Sequence, residues 1–284
     1  MQELILKATI LVEALPYIKE FYNQSVVIKY GGSAMENQEL KKQVLTDIAL
    51  MKYVGIKPVI VHGGGKHITN LSKQLGKEAV FLDGHRITDQ DTMDIIEMVL
   101  SGLLNKDIVS QLNLHGVQAV GISGRDANLI KVTSKGSAYG FVGDVSAVNP
   151  KLIRDLEESG YVPVISPVGT NDQGEAFNVN ADVAAAEIAK AIQAKKLVFL
   201  TDVDGLLKDT KDPSSLISSI NTQQARNLIK DKIIDGGMIP KIAACIDAIE
   251  NGVGKVHMIN GKTPHSVLLE IFTKQGIGTQ ITRG

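Results

Sequence analysis

The feature that most constrains this chain is a rhythm. Short apolar runs rich in β-branched residues end again and again in a glycine or polar turn, and a longer stretch of helical period follows. Val26-Val27-Ile28 leads into Lys29-Tyr30-Gly31-Gly32-Ser33, and Pro58-Val59-Ile60-Val61 into His62-Gly63-Gly64-Gly65. Ala119-Val120-Gly121-Ile122, Val162-Pro163-Val164-Ile165, Leu197-Val198-Phe199-Leu200 and Val256-His257-Met258-Ile259 repeat the pattern. Runs that are apolar throughout, rather than alternating, suit strands buried on both faces of a parallel sheet with helices either side. The C-terminal ends of such strands share one edge, where open α/β sheets bind ligands.

Between the runs, apolar periodicity predicts helices over 37–53, 89–114, 182–194, 222–231 and 239–250. In the second of these, Ile95, Ile96, Val99, Leu103 and Leu104 recur at helical spacing, which assigns them to the core. Around 130–148, short alternating segments separated by glycine predict a β-hairpin lying as a flap over the sheet edge. Residues 1–25 stand apart as an apolar-faced helix interrupted at Pro16. That face covers its own lobe, the C-terminal lobe or another subunit, and an apolar stripe alone does not say which.

With 284 residues, the chain is long enough for two lobes of ordinary size or one large α/β unit. Its formal net charge of -1 lacks the basic excess of a nucleic-acid binder, and an aromatic content of 4% leaves few stacking platforms for bases. A small-molecule ligand is therefore expected. No run approaches the ~18 apolar residues that span a bilayer, and no secretory leader pattern opens the chain, so the expectation is a cytoplasmic protein. Cys245, the single cysteine, sits in an apolar-periodic stretch and reads as core. The six histidines lack zinc-ligand spacing, and His62, at a strand end, is placed to hydrogen-bond the glycine loop without a catalytic part.

The glycine-rich turns do not match the familiar nucleotide fingerprints. Gly63-Gly64-Gly65-Lys66-His67 lacks the leading glycine and the Ser/Thr of a Walker loop, and no Gly-x-Gly-x-x-Gly follows the first strand. Two lysines nevertheless stand at glycine nests. Lys29 precedes Gly31-Gly32, and Lys241 follows Gly236-Gly237-Met238-Ile239-Pro240. Paired cations at backbone nests suit phosphoryl transfer, where spread negative charge is neutralised by preorganised groups. Asp182, opening a helix after Asn178-Val179-Asn180-Ala181, either orients the two lysines or simply complements the helix dipole. Arg86 in Gly84-His85-Arg86 either forks onto a substrate carboxylate or is solvated, and the turn Thr201-Asp202-Val203-Asp204-Gly205 either closes over a nucleotide or is only polar.

Taken in order, these six segments closely resemble those of the acetylglutamate kinases in the amino acid kinase family, from about Val26 onward. The resemblance implies an αβα sandwich around a mainly parallel central sheet, with an acyl-substrate lobe over 26–194 and an ATP lobe over 195–284. It implies phosphorylation of the γ-carboxylate of N-acetyl-L-glutamate by ATP, with Mg2+ carried by the nucleotide and no metal site of the protein's own. By position, Lys29, Lys241 and Asp182 are implied to be catalytic, and Gly64, Gly65, Arg86, Asn178 and Asn180 to bind the acceptor. Gly31, Gly32, Thr201, Asp202, Val203, Gly205, Gly237 and Met238 are implied to bind the nucleotide. The 1–25 segment is similar to the mobile helix of arginine-sensitive members, which are ring hexamers. From that likeness, Tyr22, His265, Glu270 and Gly276 are expected to serve an inhibitory arginine site.

Overall fold

The computed structural model describes every residue except Thr210, Lys211, Asp235, Gly237 and Gln275. Its centre is an eight-stranded sheet in the order Ser219–Asn221, Thr279–Thr282, Lys255–Asn260, Lys196–Thr201, Ser25–Tyr30, Lys57–His62, Val162–Ser166, Ala119–Ser123. Every neighbouring pair is parallel except Thr279–Thr282 against Lys255–Asn260. The alternation of apolar runs and helical stretches thus produces the parallel sheet it predicts. Within Ser25–Tyr30, Val27 pairs with Leu197 on one side and Val59 on the other.

Strand geometry then sorts residues between two cores, because successive side chains leave opposite faces. Val26, Ile28 and Tyr30 join the core beneath the helices Gln38–Tyr53 and Asn105–Leu114, while Val27 joins the one beneath Ala181–Ile192 and Met238–Glu250. Cys245 is fully buried in the second core, as expected, and burial pushes its thiol far above the usual range.

The predicted hairpin forms, from Ile130–Ser134 and Gly143–Val148, with a register shift between Lys131 and Val132. Two strands without a sequence-level signal, Val168–Thr170 and Ala176–Asn178, complete a four-stranded sheet with it. A two-residue ribbon, Phe81–Leu82 against His85–Arg86, carries Arg86 toward the sheet edge.

One helix departs from its expected form. The predicted 89–114 helix is α-helical over Gln90–Glu97, π-helical over Met98–Leu104 and α-helical again over Asn105–Leu114. The wider turn inserts an extra residue into the repeat and moves the buried stripe forward. Leu100 is therefore buried, whereas Leu103, expected in the core, is 60% exposed.

The N-terminal segment breaks near Pro16 into Gln2–Glu13 and Leu15–Phe21. Phe21 is buried, but Leu4, Ile5, Leu6, Ile10, Leu11 and Val12 all lie exposed, so the first helix does not bury its apolar side chains on its own lobe. No helix among the described residues is long and apolar enough to cross a membrane.

Candidate functional site

Three chain segments that are remote in sequence converge at the C-terminal edge of the central strands. Lys29 is the penultimate residue of Ser25–Tyr30, Asp182 the second residue of Ala181–Ile192, and Lys241 the fourth of Met238–Glu250. Asp182 lies between the two ammonium groups. Its Oδ1 is 3.0 Å from Lys29 Nζ and its Oδ2 3.2 Å from Lys241 Nζ. Burial alone would raise the Asp182 carboxyl, yet the charges of Lys29 and Lys241 overturn that and hold it below the usual carboxylate range. Gly31 leaves room for the lysine to fold back, since a Cβ there would sit 3.1 Å from Lys29 Nζ.

Asn180 explains how Asp182 is presented. Its side-chain oxygen accepts hydrogen bonds from the backbone N–H groups of Asp182 at 2.8 Å and Val183 at 3.3 Å, capping the helix. Asn180 also borders a cavity of about 270 Å³, whose walls include Lys29, Gly64, Gly65, Arg86, Asn178 and Asp182. On the far wall, Arg86 Nη2 donates to Gly65 O at 3.0 Å and to Thr69 Oγ1 at 2.8 Å. Its Nη1 is buried with no hydrogen-bond partner among the described residues. A buried guanidinium nitrogen left in that state is a donor awaiting an acceptor. Asn178 Nδ2 donates to Thr88 Oγ1, which in turn donates to Arg86 O, so the asparagine braces the ribbon that bears the arginine.

The glycine loop between these walls is shaped by close packing. A Cβ at Gly64 would run into Leu100 and Leu104, the two side chains that the π-helical turn directs inward. At the other nest, Gly32 has φ +64 and faces the Asp202 carboxylate, which accepts from Ser33 N at 3.0 Å. That bond ties the Thr201–Gly205 turn to the first strand's end. Burial works to raise Asp202, but the hydrogen bonds from Ser33 prevail and lower it. Within the turn, Thr201 Oγ1 donates to Val203 O at 2.8 Å, and Gly205 takes φ +144, a conformation suited to glycine. Val203 is exposed, and Met238 packs partly buried at the start of its helix. Gly237 lies outside the described residues.

A second and larger cavity, about 650 Å³, opens between the Leu15–Phe21 helix and the C-terminal strands. Glu270 and Gly276 line it, but Tyr22 and His265 do not. The Tyr22 ring lies over Gly55, where a Cβ would collide with it, and His265 Nδ1 meets the buried Asp47 Oδ1 at 2.6 Å. Sequence reading missed Lys196, His257, Glu20 and Tyr17 in this wall. A signal was available for His257, because a histidine inside an otherwise apolar strand requires a buried partner, whereas Lys196 opens its strand directly after Lys195. Glu270 is that partner. Its Oε1 contacts His257 Nδ1, its Oε2 accepts from Ile277 N at 3.0 Å, and Lys196 Nζ lies 5.1 Å above the Phe21 ring. Burial lowers both Lys196, to about 8, and His257, so the pair rests as neutral imidazole against carboxylate. His257 Nε2 is buried without a hydrogen-bond partner among the described residues.

Comparison with known proteins gives the chain its family. The amino acid kinase family model matches residues 24–260. An acetylglutamate kinase from Alkaliphilus metalliredigens is 53% identical over 98% of this chain and 88% of its own. Another from Heliobacterium modesticaldum is 51% identical over 98% of each. Among solved structures, N-acetylglutamate synthase from Neisseria gonorrhoeae, complexed with coenzyme A and N-acetyl-glutamate, superposes with a TM-score of 0.85 at 26% identity, over 98% of this chain and 63% of that longer one. The chain is thus a kinase of the amino acid kinase family, grouped within it among the acetylglutamate kinases.

Proposed function

We propose that the chain transfers the γ-phosphoryl group of ATP to the γ-carboxylate of N-acetyl-L-glutamate, giving an acyl phosphate on the route to arginine. The observation that carries this reading is the Asp182 carboxylate held between Lys29 and Lys241 at the mouth of a cavity that also contains an unsatisfied arginine donor. An acceptor carboxylate with a pKa near ~4 is ionised at neutral pH and needs no general base. One of its oxygens bonds to the γ-phosphorus as the bond to the β-γ bridging oxygen breaks, and the electron pair leaves with ADP. Lys29 and Lys241 neutralise charge spreading over the transferring oxygens, and Asp182 fixes both ammonium groups beforehand. Arg86, through its free Nη1, fits the acceptor's second carboxylate, and Gly64 and Gly65 offer N–H groups at the start of the Gly65–Gln74 helix.

In this reading the nucleotide lies over 195–284 with its phosphates toward Gly31 and Gly32, and the acceptor lies within 26–194. Of the carboxylates nearest the glycine nests, Asp182 is engaged by two cations and Asp202 accepts from Ser33 N. The donor set therefore fits Mg2+ borne by the nucleotide phosphates, where it would supply charge neutralisation. The test is an ATP-dependent hydroxamate assay with acetylglutamate, glutamate, aspartate and carbamate in parallel. Product with acetylglutamate alone supports the reading, and product with glutamate but not acetylglutamate overturns it.

A regulatory function is favoured by the second cavity. Glu270 and Glu20 offer anionic groups, His257 Nε2 an unused acceptor, and Lys196, Lys255 and Lys274 cations, which together suit a ligand bearing both guanidinium and carboxylate. We infer that L-arginine binds there and inhibits. The exposed apolar face of Gln2–Glu13 fits a second copy of the chain, within a hexameric ring. Deleting residues 1–25 should reduce the mass measured by light scattering and weaken the arginine response. An unchanged hexamer with an unchanged response would sink this part.

A further inference from the structure

The kinase reading gives no part to His62, yet the residue is completely buried one position before the glycine loop and is bonded at both ring nitrogens. Its Nδ1 lies 3.0 Å from Gly63 O and its Nε2 3.3 Å from Asn105 Nδ2. Asn105, 1% exposed, is the first residue after the π-helical turn. Its amide nitrogen also donates to Val164 O at 2.9 Å and Ile122 O at 3.3 Å, and its oxygen accepts from Lys106 Nζ at 3.2 Å.

These bonds decide the imidazole's protons. Two backbone carbonyls fix which side of the Asn105 amide bears the NH2; one N–H goes to Val164 O at 2.9 Å and the other is shared between Ile122 O and His62 Nε2, both at 3.3 Å, so an Nε2–H would point at a donor and Nε2 carries no hydrogen. The single N–H must then sit on Nδ1 and donate to Gly63 O. Burial pushes His62 down to about 4, so the ring stays neutral wherever a kinase would ordinarily work.

Gly63 O and the N–H of Gly64 belong to one planar trans peptide, whose carbonyl and N–H point in opposite directions. A peptide between two glycines meets little steric resistance to flipping. The next carbonyl, Gly64 O, accepts from Ile68 N at 3.0 Å, and Gly65 O accepts from Arg86 at 3.0 Å. Each carbonyl of the loop is thereby held by a donor.

We infer that His62 and Asn105 are positioning residues that lock the Gly63–Gly64 peptide so that its N–H, set beside the acceptor's reacting carboxylate, also meets the transferring phosphoryl group. The inference rests on the phosphoryl-transfer reading. Asn105 sets the tautomer, the Nδ1–H holds the carbonyl, and the amide on the other side of the peptide becomes a preorganised donor that costs no reorganisation during transfer. A histidine that merely filled the core would do so in either tautomer.

The substitution His62→Leu removes the donor to Gly63 O and is expected to lower kcat on the order of 10²-fold, as does loss of one oxyanion donor, with KM for both substrates changed far less. His62→Asn places an amide nitrogen where Nδ1 stood and is expected to restore most of kcat. Nitrogen-15 NMR of histidine-labelled wild-type protein should show His62, assigned by its loss in His62→Asn, protonated at Nδ1 and bare at Nε2. Asn105→Leu should shift that signal toward the Nε2–H tautomer. The inference is overturned by an Nε2–H tautomer in the wild type, by a folded His62→Leu with wild-type kcat, or by a folded His62→Asn as impaired as His62→Leu. An inactive wild type across all four acceptors would instead remove the phosphoryl-transfer reading, while the tautomer measurement remains readable by itself.

Discussion

The two cavities use one device in two settings: a carboxylate on a helix, gathered with two basic side chains from elsewhere in the chain. Asp182 meets Lys29 and Lys241, while Glu270 meets His257 and lies near Lys196. The settings differ in water. The Asp182 side chain is 21% exposed and both its partners are lysines, whereas the Glu270 side chain is 4% exposed and its nearest partner is an imidazole. The first group sets two ammonium groups against one carboxylate and so has spare capacity for further anionic charge. In the second, burial lowers Lys196 and His257 toward neutrality, so its charge state is open to adjustment by a ligand or by pH. The difference separates a group suited to stabilising further negative charge from one whose own charge state shifts readily.

The sharpest way to break the comparison is to remove a cation from the first group. Lys241→Ala or Lys29→Ala should lower kcat by roughly 10²- to 10³-fold, because preorganised charge is lost from the transition state. Steady-state kinetics that place the loss in KM alone would make the lysines ground-state binders and end the distinction. Next in size is the second group. Glu270→Gln should raise the arginine concentration for half-inhibition about tenfold, the weight of one charge-assisted hydrogen bond. Expressing the inhibited rate relative to the uninhibited rate of the same variant cancels any change in basal turnover. An unshifted value would remove Glu270 from the response.

The fold and the members of the Lys29–Asp182–Lys241 cluster were largely legible because they rest on local signals. Apolar runs closed by a glycine or polar turn gave six of the eight central strands, and the two missing ones, Ser219–Asn221 and Thr279–Thr282, are three and four residues long with polar members. Leu103 went to the wrong side because periodicity assumes a constant turn, and Met98–Leu104 widens it. Lys29, Asp182 and Lys241 were each marked by a turn or helix start, whereas their convergence is a property of the sheet order alone. The second cavity was only half legible. Glu270 and Gly276 reach it, but His257 and Lys196 are strand residues whose importance lies in cross-chain contacts, and His265 serves a different carboxylate, Asp47.

The smallest effect concerns Lys196 and would sharpen the comparison through stability rather than rate. Its ammonium is pushed down to about 8 by burial, against the opposing pull of Glu270, from an unfolded value near ~10.4. Below pH 8 both states carry the proton and the folded protein bears the strain of a buried charge. Between about 8 and 10.4 the unfolded chain binds more protons than the native one, so this group's contribution to stability rises with pH and is complete above that window. Lys196→Met keeps the aliphatic stem and loses the ammonium with its contacts to the Phe21 ring and the Glu270 carbonyl. At pH 7 the variant should melt a few degrees higher than wild type, and the gap should close as pH climbs through the window. Lys29→Met, in the wetter group beside Asp182, should show no such closing gap, because removing that ammonium strands a carboxylate instead of relieving a charge. Parallel melting curves for both variants across the window would collapse the two cavities into one kind of site.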